Sequence, residues 1–279
     1  MTTTPDTPVV RPVIAMTTSA ERTVLQTPPT GLRLKRVQIQ VEGFDVPVYV
    51  ARPESGDDLP VVVLIGESFG LHPYLEDVAR RFAHEGYLVV APDLMARQGD
   101  PADFDDVQEL VTGLLRRVGD QQVLRDLDAV IDWAGIHGGD PNRIGVNGFS
   151  WGARWAWLLA THSARPAAVV SWYGVLDDRY SSLLPDRSLF PHHPVEVAAE
   201  IQVPVLGLYA EKDAVIPMAS VTEMRHALAL RPDHVPEVEI VTYPEAVHGF
   251  HADWRDDYDP AAAADGWRRT LEWLRAHGV

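Results

Sequence analysis

The sequence Gly148-Phe149-Ser150-Trp151-Gly152 places a serine between two glycines, where a strand-like run meets a helix-like run. Residues 143–147 (RIGVN) precede it with strand character, and the apolar stretch Trp151 to His162 follows with helical character. The motif G-x-S-x-G in this context is typical of a sharp turn that raises a nucleophilic serine above a parallel sheet. Small neighbours let strand and helix pass while the serine adopts a strained backbone. We therefore predict that Ser150 is a nucleophile.

Two later positions supply the base and the acid that a serine nucleophile requires. The apolar run 203–209 reads as a strand, and Asp213 follows its carboxyl end, where open α/β sheets place their chemistry. The next strand-like run, 236–243, leads into a loop that carries His248. Hydrolases with this turn use the chain order serine, acid, histidine. We predict Asp213 as the acid and His248 as the base.

The sequence leaves other assignments of the acid open. Asp213 also reads as a loop residue that caps the helix beginning near Pro217. In that case, the acid would be Glu211, Asp177 or Asp178.

The histidine loop has two further interpretations. His251, three residues after His248, is the alternative base. His248 and His251 with Asp253 could also bind a metal, but the chain contains no cysteine and no H-E-x-x-H motif. We predict no metal and no cofactor.

An acyl-transfer site also needs two backbone amides aimed at the oxygen that gains charge. Trp151 supplies one, because it follows the nucleophile at a helix amino terminus. The second is expected from the loop after an earlier core strand. Residues 61–65 read as that strand, and the amide of Ser68 in the following loop is the candidate donor.

From Leu32 onward, strands alternate with helices, as in a doubly wound sheet. An antiparallel hairpin, Arg33–Val41 and Val46–Ala51 around the turn Glu42–Asp45, opens this region. We predict an α/β fold with a mostly parallel sheet in three α-β-α layers. The buried strands include Leu88–Val90 and Ala168–Trp172, and the helices are Tyr74–Glu85, Val107–Arg117, Gln121–Gly135, Pro217–Leu230 and Ala261–His277.

The predicted domain organisation is one domain, residues 31–279, preceded by a flexible arm, residues 1–30. The arm is rich in threonine and proline and has no sustained apolar periodicity. It is a candidate for a homo-oligomer contact. Its apolar run Val9–Met16 is broken by arginine and proline, which disfavours a secretory signal, so we expect a cytoplasmic location.

Composition excludes several classes of function. At 279 residues and 46% hydrophobic content, the chain can bury one substantial core. Lys and Arg total 24 against 40 Asp and Glu, a formal charge of -16 that opposes binding to nucleic acid or anionic membranes. No apolar run is long enough to cross a bilayer. Without cysteine there are no disulfides.

Five motifs in order resemble the dienelactone hydrolase (carboxymethylenebutenolidase) family, a branch of the α/β-hydrolases, over nearly all of residues 33–279. This resemblance implies an α/β-hydrolase fold and hydrolysis of an ester or lactone bond. The motifs are Glu67–His72, Ala91–Gln98, the serine turn 148–152, Leu208–Asp213 and His248–His251.

The nucleophile departs from the family pattern. Family members usually carry cysteine where this chain has Ser150, and the resemblance implies that their equivalent of Glu67 holds the thiol and then accepts its proton. A serine hydroxyl has a much higher pKa than a thiol and cannot be stored as an anion beside a carboxylate. We expect activation through His248, with Glu67 as a polar neighbour in the substrate site.

The substrate contacts depart as well. The resemblance implies that two arginines hold a substrate carboxylate; Arg97 matches the first, but Ala252 stands at the second position. Arg255 either compensates for the missing arginine or is a solvated residue of an acidic loop. The case for dienelactone itself is therefore weak.

Large side chains surround the serine turn and suit an apolar or aromatic substrate group. Core packing is the alternative, and the better one for Trp155 and Trp172. We predict that Trp151 and Tyr173 face a pocket, and Phe69 and Tyr173 are predicted substrate contacts. His192 and His193 are expected in a lid or on the surface. The full set of large side chains is Phe69, Phe149, Trp151, Trp155, Trp172 and Tyr173.

These observations favour a serine hydrolase of small esters or lactones that works through an acyl-enzyme. A peptidase or acyltransferase could use the same three residues. A binding protein that kept the fold but lost turnover is a third hypothesis, since exchanging cysteine for serine can blunt a site built for a thiolate.

Overall fold

The computed structural model describes residues 25–179, 184, 186–232 and 235–279. These residues form an eight-stranded sheet in the order β1-β2-β4-β3-β5-β6-β7-β8, in which β1, β2 and β4 pair antiparallel and the other pairs are parallel. The strands are β1 Leu32–Val41, β2 Phe44–Pro53, β3 Leu59–Ile65, β4 Leu88–Pro92, β5 Gly139–Phe149, β6 Ala168–Trp172, β7 Val205–Ala210 and β8 Val238–Tyr243. The helices are α1 Pro73–His84, α2 Val107–Gly113, α3 Asp120–Ile136, α4 Trp151–His162, α5 Met218–Ala229 and α6 Pro260–Ala276.

The central strands are buried on both faces, so their residues alternate between two cores. In β3, Val61, Val63 and Ile65 pack into the core that also holds residues of α2, α3, α4 and α5. Val62 and Leu64 point the other way, into the core that holds residues of α1 and α6. Helices thus cover both faces of the sheet. The predicted doubly wound, mostly parallel α/β-hydrolase sheet with its antiparallel N-terminal hairpin is confirmed.

The hairpin turn is tighter than the sequence suggested. The β1 and β2 strands pair continuously from Leu32 opposite Pro53 to Val41 opposite Phe44. Only Glu42 and Gly43 remain in the turn, with φ of 48° and 79°. Two successive positive φ values are those of a type I′ turn, whose twist matches that of paired strands. The predicted turn over residues 42–45 was therefore too long.

The predicted helix over residues 107–117 is divided. It ends as an α-helix at Gly113, Leu114 leaves helical geometry with φ -128° and ψ -60°, and Leu115–Arg117 form a 3₁₀ turn. By contrast, the helix predicted from Trp151 to His162 is α4. None of the helices in the described ranges combines the length and hydropathy that a bilayer crossing requires.

The predicted arm falls outside the described residues for positions 1–24. Residues 25–30 lie along the first helix, α1, where Thr27 donates hydrogen bonds from its amide and its hydroxyl to Asp77, at 2.6 and 3.0 Å. Arg80 Nε donates a hydrogen bond to the Thr27 carbonyl oxygen at 3.0 Å. This contact joins the segment before β1 to the helix that follows β3.

Candidate active site

Ser150 occupies the sharp turn between β5 and α4. Its φ of 48° and ψ of -108° lie outside the regions that L-residues favour, and its amide donates to the carbonyl of Trp172 at 2.9 Å. The flanking glycines are sterically required. A Cβ on Gly148 would lie 2.5 Å from the Gly152 carbonyl oxygen, and a Cβ on Gly152 would lie 2.4 Å from that of Gly66. The sequence therefore meets the steric demands of a strained, accessible serine.

The structure brings Ser150, His248 and Asp213 into one hydrogen-bonded chain. Ser150 Oγ lies 2.9 Å from His248 Nε2, and His248 Nδ1 lies 2.8 Å from Asp213 Oδ2. The other Asp213 oxygen accepts from the amides of Val215 and Ile216 at 2.7 and 2.8 Å. A carboxylate at Nδ1 fixes the proton on that nitrogen, so Nε2 presents a lone pair to the serine hydroxyl. The arrangement can move a proton from serine to imidazole.

The alternative acids lie in other contacts. Glu211 accepts from the Thr242 hydroxyl at 2.9 Å, and Asp177 is paired with Arg179. Asp178 lies 3.2 Å from the imidazole of His193.

His251, the alternative base, is a core residue. Its Nδ1 lies 2.5 Å from the hydroxyl of Tyr74, and its ring stacks on Phe149 with centroids 5.1 Å apart. Burial, reinforced by the nearby Arg81 charge, lowers the pKa of His251 to about 3. Asp253 is itself paired with Arg81. In the part of the chain that the structure describes, no three His, Cys, Asp or Glu side chains are grouped to hold a metal.

The loop after β3 is joined to the start of α4. The amide of Gly152 donates to the carbonyl of Gly66 at 3.1 Å, while the amides of Ala153 and Arg154 donate to the Ser150 carbonyl. Trp151 is the first residue of α4, a position whose amide has no acceptor within the helix. The loop that carries Ser68 and the turn that carries Trp151 are thus held side by side.

Glu67 and Tyr173 form a buried pair beside the imidazole. Tyr173 is completely buried with φ of 42°, and its hydroxyl donates to Glu67 Oε1 at 3.2 Å. Its ring stands edge-on to that of His248, with centroids 5.1 Å apart. Burial and the neighbouring Glu67 carboxylate raise the pKa of Tyr173 well above its ordinary value, so the hydroxyl stays protonated. Tyr173 is therefore a fixed donor.

Arg255 belongs to this group, and its interpretation as a solvated loop residue was wrong. Its side chain is 11% exposed, with Nη1 3.8 Å from Glu67 Oε2 and Nη2 3.1 Å from Asp257 Oδ2. Successive turns, with the amide of Ala252 bonded to the carbonyl of Gly249 and that of Arg255 to the carbonyl of Ala252, fold the chain back toward His248. The spacing of residues after the histidine in the sequence does not predict that these turns bring Arg255 back beside Glu67.

Arg97 lies in a different environment from the predicted substrate contact. Its guanidinium donates to Asp126 at 2.6 and 3.3 Å and to the carbonyl of Val41 at 2.9 Å, and it lies over the ring of Phe44. These contacts join the N-terminal hairpin to α3. The resemblance implies an arginine at two positions that hold a substrate carboxylate. The first, Arg97, is paired within the protein, and the second is Ala252, which is buried and apolar.

The large side chains near Ser150 are mostly core residues. Trp155 and Trp172 are buried, and their indole groups donate to Asp120 and Asn147 at 3.1 and 3.0 Å. Trp151 and Tyr173 were predicted to face a pocket, and in the structure they are 4% and 0% exposed.

Of the predicted substrate contacts, Phe69 is partly exposed. Its ring meets those of His72 and Trp254 edge-on, at 5.9 and 5.5 Å. A mainly apolar cleft of about 640 Å³ lies beside this aromatic group, lined by residues 25–29, Leu34, His72–Tyr74, Asp77, Arg80 and Trp254.

His192 and His193, both expected in a lid or on the surface, differ in their exposure. His192 is exposed, and its carbonyl accepts from Arg154 at 2.8 Å. His193 is completely buried, so its prediction as a surface residue was wrong.

Known proteins resemble this chain over most of its length. The model of the family described as "Dienelactone hydrolase family" matches residues 46–278. A candidate carboxymethylenebutenolidase from Salmonella typhi is 45% identical over 258 residues, 92% of each chain. A candidate 2-oxo-3-(5-oxofuran-2-ylidene)propanoate lactonase from Bradyrhizobium is 29% identical over 86% of this chain and 93% of its own. The crystal structure of a candidate dienelactone hydrolase from Klebsiella pneumoniae superposes with a TM-score of 0.82 at 43% identity, over 88% of this chain and 98% of that one.

Proposed function

Because the chain belongs to the dienelactone hydrolase family, we propose that it is a serine hydrolase of small carboxylic esters or lactones. One observation carries the proposal: the continuous chain from Ser150 Oγ through His248 to Asp213, with distances of 2.9 and 2.8 Å. The lactone substrates in the names of the relatives from Bradyrhizobium and Salmonella typhi support the substrate class, since a lactone is a cyclic ester.

In the first half-reaction, Ser150 Oγ attacks the substrate carbonyl carbon while His248 Nε2 takes the hydroxyl proton. Asp213 stabilises the imidazolium that results. The carbonyl oxygen becomes an oxyanion, for which the amides of Ser68 and Trp151 are the proposed donors. When the tetrahedral intermediate collapses, the bond to the alcohol oxygen breaks and that oxygen receives the proton from His248.

In the second half-reaction, water attacks the acyl-enzyme. His248 accepts a proton from the water, the ester bond to Ser150 breaks, and the serine oxygen recovers that proton. The acid product and the free enzyme are released. Glu67 takes no proton in this sequence: its Oε1 accepts from the Tyr173 hydroxyl, and its Oε2 lies 3.8 Å from the Arg255 guanidinium.

A fluorophosphonate probe tests the proposal directly. The wild-type protein should be labelled, and Ser150→Ala and His248→Ala should each abolish labelling. Turnover of p-nitrophenyl acetate should fall by about a thousandfold or more in both variants, since each removes a member of one catalytic unit. Ser163→Ala, the same replacement just beyond the other end of α4, is the matched control and should keep both activities.

Persistent labelling of Ser150→Ala would refute the assignment of the nucleophile. Peptide hydrolysis, or transfer of the acyl group to added alcohols in preference to water, would indicate the peptidase or acyltransferase alternative. A wild-type protein that binds esters without labelling or turnover would be the binding protein of the third hypothesis.

A further inference from the structure

One partly buried arginine, Arg255, joins the loops that carry the proposed active-site residues. Arg255 Nη1 lies 3.8 Å from Glu67 Oε2, and Nη2 lies 3.1 Å from Asp257 Oδ2. Glu67 is next to Ser68 in the loop after β3, whereas Asp257 stands shortly before α6. Glu67 is 2% exposed, so the guanidinium provides a positive charge to a carboxylate that has almost no access to water.

The same guanidinium lies against the backbone next to the imidazole. A Cβ on Gly249 would be 2.6 Å from Arg255 Nη1 and 3.0 Å from Cζ, so the arginine packs directly on this glycine. Gly249 has φ of 80°, and it immediately follows His248. A displacement of Arg255 would therefore change the packing against Gly249, the residue that follows the proposed base His248.

Glu67 also reaches the ring of the base through Tyr173. The Tyr173 hydroxyl donates to Glu67 Oε1 at 3.2 Å, and the Tyr173 ring stands edge-on to His248 at 5.1 Å. The imidazole is thus supported on its ring by Tyr173 and on its backbone side by Arg255. Both supports are anchored on one carboxylate.

We propose that Arg255 is a positioning residue: between Glu67 and Asp257, it holds the loop of His248 in register with the loop that carries Ser68. This inference rests on the proposed hydrolase function. Arg255 acts through these neighbours and takes no part in bond making. Glu67 Oε2 has no hydrogen-bond partner among the described residues, so replacing Arg255 removes the ion pair at 3.8 Å from an already under-satisfied buried carboxylate, which forces the carboxylate and its loop to rearrange. A displacement of about 1 Å in a catalytic group can cost about a hundredfold in rate.

The test uses p-nitrophenyl acetate, because this substrate carries no carboxylate that an arginine could bind. Arg255→Met should lower kcat by about 10- to 100-fold and change KM by less than about threefold. Arg255→Lys should recover part of the loss, since it keeps the charge but not the planar fork. Adding Glu67→Gln to Arg255→Met should cost little more than either single change, because the two residues act as one unit.

Arg268→Met on the exposed face of α6 is the matched control and should leave kcat unchanged. Thermal unfolding checks that each variant is folded. If Arg255→Met does not fold, the kcat values of Arg255→Lys and Asp257→Asn test the proposal instead. Asp257 suits this purpose because its side chain is 44% exposed. We expect Asp257→Asn to lower kcat by about two- to fivefold, in line with a half-exposed ion pair.

Two results would overturn the positioning role: an unchanged kcat in folded Arg255→Met, or a rise in KM alone, which would indicate a substrate contact. Fluorophosphonate labelling separates the two proposals. Equal labelling rates in the wild type and Arg255→Met would refute positioning and leave the hydrolase intact. Failure to label the wild type would overturn both.

Discussion

Asp213 divides its carboxylate oxygens between the imidazole and the backbone. Oδ2 lies 2.8 Å from His248 Nδ1, and Oδ1 accepts from the amides of Val215 and Ile216. An asparagine at this position would keep its carbonyl oxygen on the two amides and turn its NH₂ group toward His248. A donor facing Nδ1 forces the imidazole proton onto Nε2, which can then no longer accept the proton of Ser150.

We therefore expect Asp213→Asn to lower kcat for p-nitrophenyl acetate by about 10³- to 10⁴-fold with little change in KM. The volume and the backbone bonds are retained, so the midpoint of thermal unfolding should change little. Asp178→Asn, at one of the alternative acids, is the control and should keep most of the activity. A larger loss in Asp178→Asn than in Asp213→Asn would contradict the assignment of the acid.

Among individual residues, the sequence predicts the position of those that directly follow a strand of the sheet. Ser150, Asp213 and His248 each follow a strand of the parallel part of the sheet, and the carboxyl ends of such strands meet at one edge. Arg97 and Arg255 depend on tertiary partners instead. The pairing of Arg97 with Asp126, and the turns that return Arg255 to Glu67, leave no periodic signal in the sequence.

Among the elements, the contact between the loop after β3 and the first turn of α4 leaves no room for a side chain. The Gly152 amide bonds to the Gly66 carbonyl at 3.1 Å, and a Cβ on Gly152 would lie 2.4 Å from that oxygen and 2.7 Å from the Ile65 carbonyl oxygen. These obstacles are backbone atoms, which cannot rotate aside. A methyl group must therefore separate the loop from the helix.

We expect Gly152→Ala to lower kcat by about a hundredfold or more, because the two proposed oxyanion donors lie on opposite sides of this contact. The free energy of unfolding should fall by about 1–3 kcal/mol from overpacking. Gly135→Ala in α3 is the control: its added Cβ would lie 3.5 Å from Pro141, an ordinary contact, and helix propensity predicts a small gain in stability. Full activity of Gly152→Ala in the p-nitrophenyl acetate assay would contradict this account.

Element boundaries were predictable where a local signal sets them. Asp259 caps α6 by accepting hydrogen bonds from the amides of Ala261 and Ala262. The sequence Asp259-Pro260 is typical of a helix N-terminus. The break at Leu114 has no such signal. Gly113 packs where a Cβ would lie 2.5 Å from the Phe104 ring, a tertiary contact that the helical spacing of residues 107–117 does not encode.

For the molecule as a whole, the buried histidines His72 and His251 contribute to its response to acid, and burial also lowers the pKa of a third, His193. Burial lowers the pKa of His72 to about 4, and burial together with Arg81 lowers that of His251 to about 3, both from an ordinary value of 6.5. Well above pH 6.5, both histidines are neutral in the folded and unfolded chains. Below that pH, the unfolded chain binds protons that the folded chain refuses, so acid favours unfolding.

The carboxylates act in a lower pH range. Arg187 lowers the pKa of Glu196 to about 2 from 4.5, and hydrogen bonds from Arg269 and Arg268 outweigh desolvation to lower that of Asp265 to about 2 from 3.8. A depressed carboxyl pKa gives stability that is lost only as the pH falls below the unfolded value. Between about pH 6.5 and 4.5, these two groups contribute little to the slope.

In that window, His72 and His251 should each lower the free energy of unfolding by up to about 1.4 kcal/mol per pH unit as the pH falls. His72→Phe should remove one such contribution and flatten the slope, measured by urea unfolding between pH 6.5 and 4.5. The exchange suits the site, because His72 Nε2 is buried without a hydrogen-bond partner and the ring packs among Phe69, Tyr74 and Trp254. His226→Phe, the same exchange at an exposed position of α5, is the matched control. Equal slopes in His72→Phe and the wild type would show that His72 is protonated in the folded protein over this range.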